Sequence, residues 1–214
     1  MKNAISIILF CISVSTSAQI SYSFNYKLKI KPEKESGSAR SFCQLINSKV
    51  LQYNFYVTDD THGDLIDTQR NTVSHIYIDK EDKVFNYDVL DHLKVPNLSK
   101  YTTNNDRLCV DQIKPGEYSI QCFEKDAADP GLELIVSLEP ADDDLIRFYN
   151  ITFDDDLHLK IINGLKEKLN RNFNYYIREY TMKDGRGSRK YAIEKPEKVN
   201  LNLVNPLKEE EVAP

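Results

Sequence analysis

The sequence has no tryptophan, only two methionines and seven glycines, and none of the short motifs that mark common enzyme sites. It contains no GxSxG nucleophile elbow, no phosphate-binding P-loop and no GxGxxG dinucleotide fingerprint. The Gly-x-Gly string at residues 185–187 is followed by no helical pattern, which indicates a turn and not a phosphate cradle. We therefore predict no catalytic residue and no cofactor. An enzyme without a recognisable motif stays an open alternative.

The charge balance is slightly acidic, with 33 Asp and Glu against 28 Lys and Arg. The formal net charge is −5, and no basic cluster interleaves with aromatic residues. This composition argues against nucleic acid as a partner and against binding to an anionic membrane surface. After the N-terminus no apolar run approaches the ~20 residues that cross a bilayer, so we expect no transmembrane segment in the mature chain.

The N-terminus has the three parts of a secretory signal peptide. Lys2 supplies a positive charge, residues 4–14 form a short apolar run, and small residues precede a cleavage site after Ala18. An uncleaved N-terminal anchor is the alternative. We predict a signal peptide at 1–18 and an exported protein, periplasmic or extracellular, that begins at Gln19.

The mature chain then holds three cysteines, Cys43, Cys109 and Cys122. An exported protein meets oxidising conditions, which permit a disulfide. In a hairpin with a two-residue turn at Pro115-Gly116, residues whose numbers add up to 231 lie opposite each other on the two strands. Cys109 and Cys122 fulfil this condition. They would form a non-hydrogen-bonded pair, whose Cα atoms lie within disulfide distance. We predict a Cys109–Cys122 disulfide, with three reduced cysteines as the alternative.

The four histidines show no metal-ligand spacing such as HxxxH or HExxH. His62 lies in an acidic loop at 59–64 that is rich in oxygen ligands, but its glycine stands at the wrong position for an EF-hand. A solvated turn is the simpler interpretation. The acidic run at 154–156, near His158, is better explained as the N-terminus of a helix, and we predict no metal site.

Alternation of apolar and polar residues dominates the chain and predicts strands. It is clearest at 20–30 and continues through an extended region at 42–57, with a polar loop at 58–71. Hairpins are predicted for 72–79 with 84–90 and for 107–113 with 117–124. Further strands are predicted at 132–138, 145–153, 173–182 and 189–194.

One helix is predicted after residues 154–156, because Ile161, Ile162, Leu165 and Leu169 fall at helical spacing. The pattern indicates a mainly β, α+β fold: a curved antiparallel sheet or partial barrel with one helix in the C-terminal third. We expect a single β-rich domain at 19–198 and a C-terminal tail at 199–214.

Three stretches carry a resemblance to a known family: the Ala18-Gln19 junction, the opening strand ISYSFNYKLKIKP and the later stretch INSKVLQYNFYV. Together they resemble the secreted GLPGLI family of Bacteroidetes-type envelope proteins. Pro130-Gly131-Leu132 matches a fragment of that family's signature string. The resemblance implies a bacterial envelope protein of unknown role and carries no site residues with it.

The aromatic content suggests a function. Eight aromatic side chains could line a curved sheet and hold an apolar small ligand, or could form an ordinary core. They are Tyr22, Phe24, Tyr26, Tyr53, Phe55, Phe173, Tyr175 and Tyr176. Our first hypothesis is a non-catalytic envelope protein that binds such a ligand. The alternative is a protein–protein interaction module that uses a sheet edge or the tail.

Overall fold

The computed structural model describes residues 20–33, 41–57, 59, 61–79, 86–94, 105–149, 151 and 155–205. These residues form one large, curved antiparallel sheet with a single α-helix, which confirms the predicted mainly β fold class. Among the described residues, no helix is long and apolar enough to cross a membrane. The predicted signal peptide at 1–18 lies outside the described residues.

The elements follow one another along the chain with the helix between the ninth and tenth strands. They are β1 (Ile20–Glu33), β2 (Phe42–Asn47), β3 (Val50–Val57), β4 (His62–Asp67), β5 (Thr72–Asp79), β6 (Asn86–Lys94), β7 (Asn105–Lys114), β8 (Glu117–Glu124), β9 (Leu132–Ala141), α1 (Asp155–Lys168), β10 (Asn174–Asp184), β11 (Gly187–Ile193) and β12 (Glu197–Asn205).

The first strand is the centre of the sheet. The strand order is β6-β5-β4-β3-β2-β1-β11-β10-β9-β8-β7, and β12 also pairs with β1. Ile30 pairs with both β2 and β11, and Tyr26 pairs with both β2 and β12, so β11 and β12 share one edge of β1 and β2 occupies the other. The long strand with the clearest alternation in the sequence is therefore the strand with the most neighbours.

The sheet encloses two separate apolar cores. Leu45 belongs to a core between the start of β1 and strands β3 to β5, whereas the next residue, Ile46, belongs to a larger core under β8 to β11. Because successive strand residues point to opposite faces, β2 is covered on both sides. Tyr22 and Phe24 of β1 pack in the first core, and Tyr26 packs in the second.

The helix lies against the second core, as its spacing predicted. Ile161, Ile162 and Leu165 are buried in that core. A Cβ added to Gly164 would come within 2.6 Å of a terminal methyl of Leu108. The glycine that weakens the helix by about 1 kcal/mol thus allows a close approach between α1 and β7.

Three predicted elements were wrong. The polar loop predicted at 58–71 contains β4, whose Gly63, Leu65 and Asp67 are buried on alternate positions. The strand predicted at 145–153 is not formed by its described residues. Instead they make an irregular segment with one isolated bridge, Leu145 to Tyr176. The apolar residues of this segment are buried at successive positions instead of alternate ones. The segment therefore has the composition of a strand without its burial pattern.

The third correction concerns the C-terminus. Residues 199–205 were predicted as part of a tail, but they belong to β12, which pairs with β1 along its first half. Leu203 is 1% exposed in the first core. The alternation of Val199, Leu201 and Leu203 is the signal that could have identified this strand. Residues 206–214 of the predicted tail lie outside the described residues.

Candidate functional site

The predicted Cys109–Cys122 disulfide is absent, because the hairpin register differs by one residue from the one expected. The turn itself is as predicted: Lys114 pairs with Glu117, and Gly116 has the positive φ of 76° that a type II turn requires. A bulge between Gln112 and Lys114 then shifts the ladder, so that Cys109 faces Gln121 and Cys122 faces Leu108.

The two cysteines consequently point to opposite faces of the hairpin. Cys122 is fully buried in the second core, and its burial raises the pKa of the thiol to about 12. Cys109 is half-buried, as is Cys43, and all three thiols are free.

Four of the eight aromatic residues that could line a ligand-binding sheet pack against one another in the first core. Tyr22 and Phe24 each form an edge-to-face contact with Tyr53, at centroid distances of 5.1 Å and 5.5 Å. Phe24 also contacts the fully buried Phe55, whereas Phe173 is exposed. These four side chains fill the first core themselves.

The acidic loop around His62 is a hydrogen-bonded turn. The Asp59 carboxylate accepts bonds from the backbone amides of Thr61 and His62, each at 2.8 Å. These bonds, chiefly the one from the Thr61 amide, lower the pKa of Asp59 to about 2. No group of three His, Cys, Asp or Glu side chains that could hold a metal ion occurs among the described residues.

An arginine is buried where the segment after β9 crosses the β2–β3 hairpin. Arg147 is 3% exposed, and its guanidinium donates hydrogen bonds to the carbonyls of Ile146 at 2.9 Å and Asn47 at 3.1 Å. Its Nε finds no acceptor within the part of the chain that the structure describes. Burial lowers the pKa of Arg147 to about 10. Sequence reasoning missed this residue, since nothing near it distinguishes it from a surface arginine.

His158, in the first turns of α1, lies near this arginine. Its ring is 6.2 Å from that of Phe148, and its buried Nε2 has no hydrogen-bond partner among the described residues. Burial, and next the charge of Arg147, lower its pKa to about 4. At neutral pH the imidazole is therefore uncharged.

One concave site among the described residues is a cleft where the sheet divides. β11 stays paired with β10, but β12 follows β1 away from it, and the segment after β9 fills part of the gap. The cleft has a volume of about 440 Å³. Its lining residues come from five parts of the chain: Tyr26, Pro140, Ala141, Asp142, Leu145, Tyr176, Lys195, Pro196 and Lys198.

The floor of the cleft is apolar and buried, and its rim is charged. Tyr26, Leu145 and Tyr176 are each less than 10% exposed. The Tyr26 hydroxyl donates to Asp143 at 2.6 Å, and the Tyr176 hydroxyl donates to Glu139 at 2.6 Å. Burial first, and then these carboxylates, raise the pKa of both tyrosines, that of Tyr176 to about 12.

Across the mouth of this cleft, the Lys198 ammonium lies 2.9 Å from the Asp142 carboxylate. Their hydrogen bond lowers the pKa of Asp142 and raises that of Lys198. Lys195, on the same wall, forms no ion pair with any described residue. The cleft therefore combines tyrosine and proline surface with two lysines at its entrance.

A second concavity, of about 460 Å³, runs between α1 and β7. Its apolar residues are the half-buried Leu108 and the exposed Leu159, with Lys160 and Glu167 beside them. It lacks a buried floor and draws on two elements alone, so we consider the cleft beside β12 the better candidate site.

Neither concavity contains a catalytic constellation. The cleft lining has no cysteine, serine, threonine or histidine that could act as a nucleophile with a neighbouring base. Its one carboxylate, Asp142, is paired with Lys198. A scan of the chain against protein-family models and a search of curated proteins found no match.

Proposed function

We propose that this chain is an exported, non-catalytic binding protein of a bacterial envelope that holds a small ligand in the cleft beside β12. The observation that carries the proposal is the buried floor of Tyr26, Leu145 and Tyr176 beneath a charged rim. Small-molecule sites are typically concave, mostly apolar and fitted with a few polar groups, with volumes from roughly 300 Å³ upward. The cleft meets the conditions of shape, volume and polar groups, and its accessible lining is about as polar as it is apolar.

Export rests on the N-terminal sequence. A positive residue, a short apolar run and a small-residue cleavage site at 1–18 are the features of a signal peptide. The resemblance of the opening strand to envelope proteins of the GLPGLI family supports the same location. Export to the envelope stays a prediction.

The binding site differs from the one that composition suggested. Tyr26 and Tyr176 belong to the eight aromatic residues proposed as a ligand surface, and they do line the cleft. The other six do not, since Tyr22, Phe24 and Phe55 are used in packing the first core. The ligand is therefore small and partly polar, in contrast to a lipid held along the inside of the sheet.

The interaction-module alternative has less support from the described residues. Their exposed large apolar side chains lie on separate parts of the chain, and no two of them share an element. These side chains are Tyr77, Ile113, Ile135, Leu159 and Phe173. Partner-binding surfaces are usually contiguous apolar patches, which these exposures alone do not indicate.

Native mass spectrometry of the protein exported by its own host tests the proposal. Ala141→Trp fills the cleft with a large side chain, and Ile135→Trp is the matched control, an exposed position on the same strand. We expect a bound mass in the wild type and in the Ile135→Trp variant and its loss in the Ala141→Trp variant. A bare protein in all three samples, or a bound mass that survives Ala141→Trp, would contradict the proposal.

A further inference from the structure

We infer that the ligand of the cleft beside β12 is a small organic anion with a flat apolar body, and that Lys195 and Lys198 bind its negative charge. This inference deepens the proposed function and depends on it. A simple aromatic carboxylate has the required chemistry.

Two carboxylates beside the cleft hold its floor. Asp143 accepts a hydrogen bond from Tyr26, and Glu139 accepts one from Tyr176, each at 2.6 Å. Glu139 also lies 3.7 Å from the Arg178 guanidinium. Hydrogen bonds to an ionised acceptor are among the stronger ones, so these two acids hold the floor tyrosines in place. Neither acid belongs to the cleft lining, in which Asp142 is the one carboxylate beside two lysines.

The lysines at the rim outnumber the carboxylate beside them. Lys195 follows β11 and precedes Pro196, which restricts the backbone beside it. Lys195 lines the cleft and forms no ion pair with the described residues, and its charge acts on Asp142, the carboxylate that Lys198 contacts. Two ammonium groups that share one carboxylate at a partly apolar cleft favour a ligand that brings a further negative charge.

Lys198 has a partner that a ligand can replace. Its ion pair with Asp142 spans the mouth of the cleft, and the two side chains are 67% and 78% exposed. Such exposed pairs contribute little because water and salt screen them. A ligand carboxylate that enters the cleft can take the place of Asp142 at Lys198, and its apolar body is then held away from water against the floor.

The shape of the floor favours a flat body. The hydroxyls of Tyr26 and Tyr176 are committed to carboxylates, so these side chains offer the ligand mainly their ring surfaces. Pro140 and Pro196 also line the cleft, one near the end of β9 and the other between β11 and β12. Proline and tyrosine provide rigid apolar contacts at a small entropic cost.

Three matched probes test the inference by NMR titration of the isotope-labelled protein: benzoate, benzylammonium and benzyl alcohol, which share a ring and differ in charge. We expect benzoate to bind most tightly and to shift the signals of Tyr26, Leu145 and Tyr176. The Lys195→Ala/Lys198→Ala double variant should weaken benzoate binding by about tenfold or more. Asp142→Asn, which removes the competing carboxylate, should strengthen it by about threefold.

Lys183→Ala is the control, since this exposed lysine pairs with Glu133 on another part of the sheet. Benzylammonium binding in the cleft as tightly as benzoate would overturn the inference and leave the proposed function intact. An equal loss of benzoate binding in the Lys183→Ala variant would overturn it as well. Failure of all three probes to shift cleft signals would count against the inference and the proposed function together.

Discussion

The Tyr180 hydroxyl holds the backbone of Tyr149 through two hydrogen bonds, donating to its carbonyl at 2.7 Å and accepting from its amide at 3.1 Å. Tyr180 stands on β10, 31 residues away in sequence, and is 1% exposed. The two bonds fix the irregular segment that follows β9, the same segment that supplies Leu145 and Asp142 to the cleft. A side-chain hydroxyl here replaces the ladder hydrogen bonds that a strand would have made.

Removing that hydroxyl should be costly. Tyr180→Phe removes this partner from a half-buried amide and a half-buried carbonyl, and we expect a loss of about 1–3 kcal/mol in the free energy of unfolding. The control is Tyr175→Phe, because this half-buried tyrosine forms no hydroxyl hydrogen bond within the described part of the chain. Urea denaturation of both variants measures the difference. Equal stabilities would show that the Tyr180 bonds do not hold the segment.

Acid should destabilise the protein through His158. Because its pKa is lowered to about 4 in the folded state, the unfolded state binds more protons between that value and the ordinary value near 6.5. The contribution of the neutral His158 side chain to the free energy of unfolding is complete above pH 6.5 and is lost as the pH falls toward 4. This contribution is on the order of 3 kcal/mol.

The groups that act on His158 are the buried Arg147 and, through it, Asp144, whose carboxylate also pairs with Lys166. His158→Gln removes the titrating group, so its unfolding free energy should be flatter between pH 6.5 and 4 than that of the wild type. Thermal unfolding followed across this range provides the measurement. Parallel pH profiles for the two proteins would contradict the assigned burial of His158.

The last described strand should be necessary for the first core. Leu203 is fully buried there, and Leu→Ala substitutions in cores typically cost about 2–5 kcal/mol. Asn202→Ala, at the exposed neighbouring position on β12, should change the stability by less than about 0.5 kcal/mol. If chemical denaturation showed the same small change in the free energy of unfolding for Leu203→Ala and Asn202→Ala, residues 199–205 would behave as the tail that the sequence suggested.

The cysteines should behave as three free thiols of unequal reactivity. In protein that lacks residues 1–18, a thiol reagent at pH 8 should label Cys43 and Cys109 in the folded state. Cys122 should react after denaturation alone, because it is buried and its pKa is raised to about 12. Peptide mapping without reduction identifies the labelled positions. Recovery of a 109–122 linked peptide would restore the disulfide and contradict the shifted register.

The sequence predicted those elements whose signals are local. The alternation at 20–30 identified β1, and the helical spacing of Ile161 and Leu165 identified α1. The turn at Pro115-Gly116 was also correct. The disulfide failed because one bulge beside Ile113 moves every later pair by a residue, and a bulge of this kind leaves no distinct trace in composition.

The cleft could not be predicted at all. Tyr26 and Tyr176 are 150 positions apart in the chain and meet because β12 leaves β11 to follow β1, a property of the sheet pairing as a whole. The same holds for Arg147, whose burial depends on the carbonyl of Asn47, 100 residues earlier. The cleft and the burial of Arg147 both depend on contacts between residues far apart in the chain. Sequence periodicity carries information on residues close together in the chain and therefore does not predict them.

The most direct test of the ligand-binding claim is a crystallographic fragment screen of the wild-type protein, with carboxylate, ammonium and neutral ring compounds soaked in parallel. The account predicts that bound fragments concentrate in the cleft over Tyr26 and Tyr176, and that carboxylates are the most frequent, with their charge beside Lys195 and Lys198. Fragments that gather in the groove between α1 and β7, or a cleft that stays empty across the whole library, would contradict it.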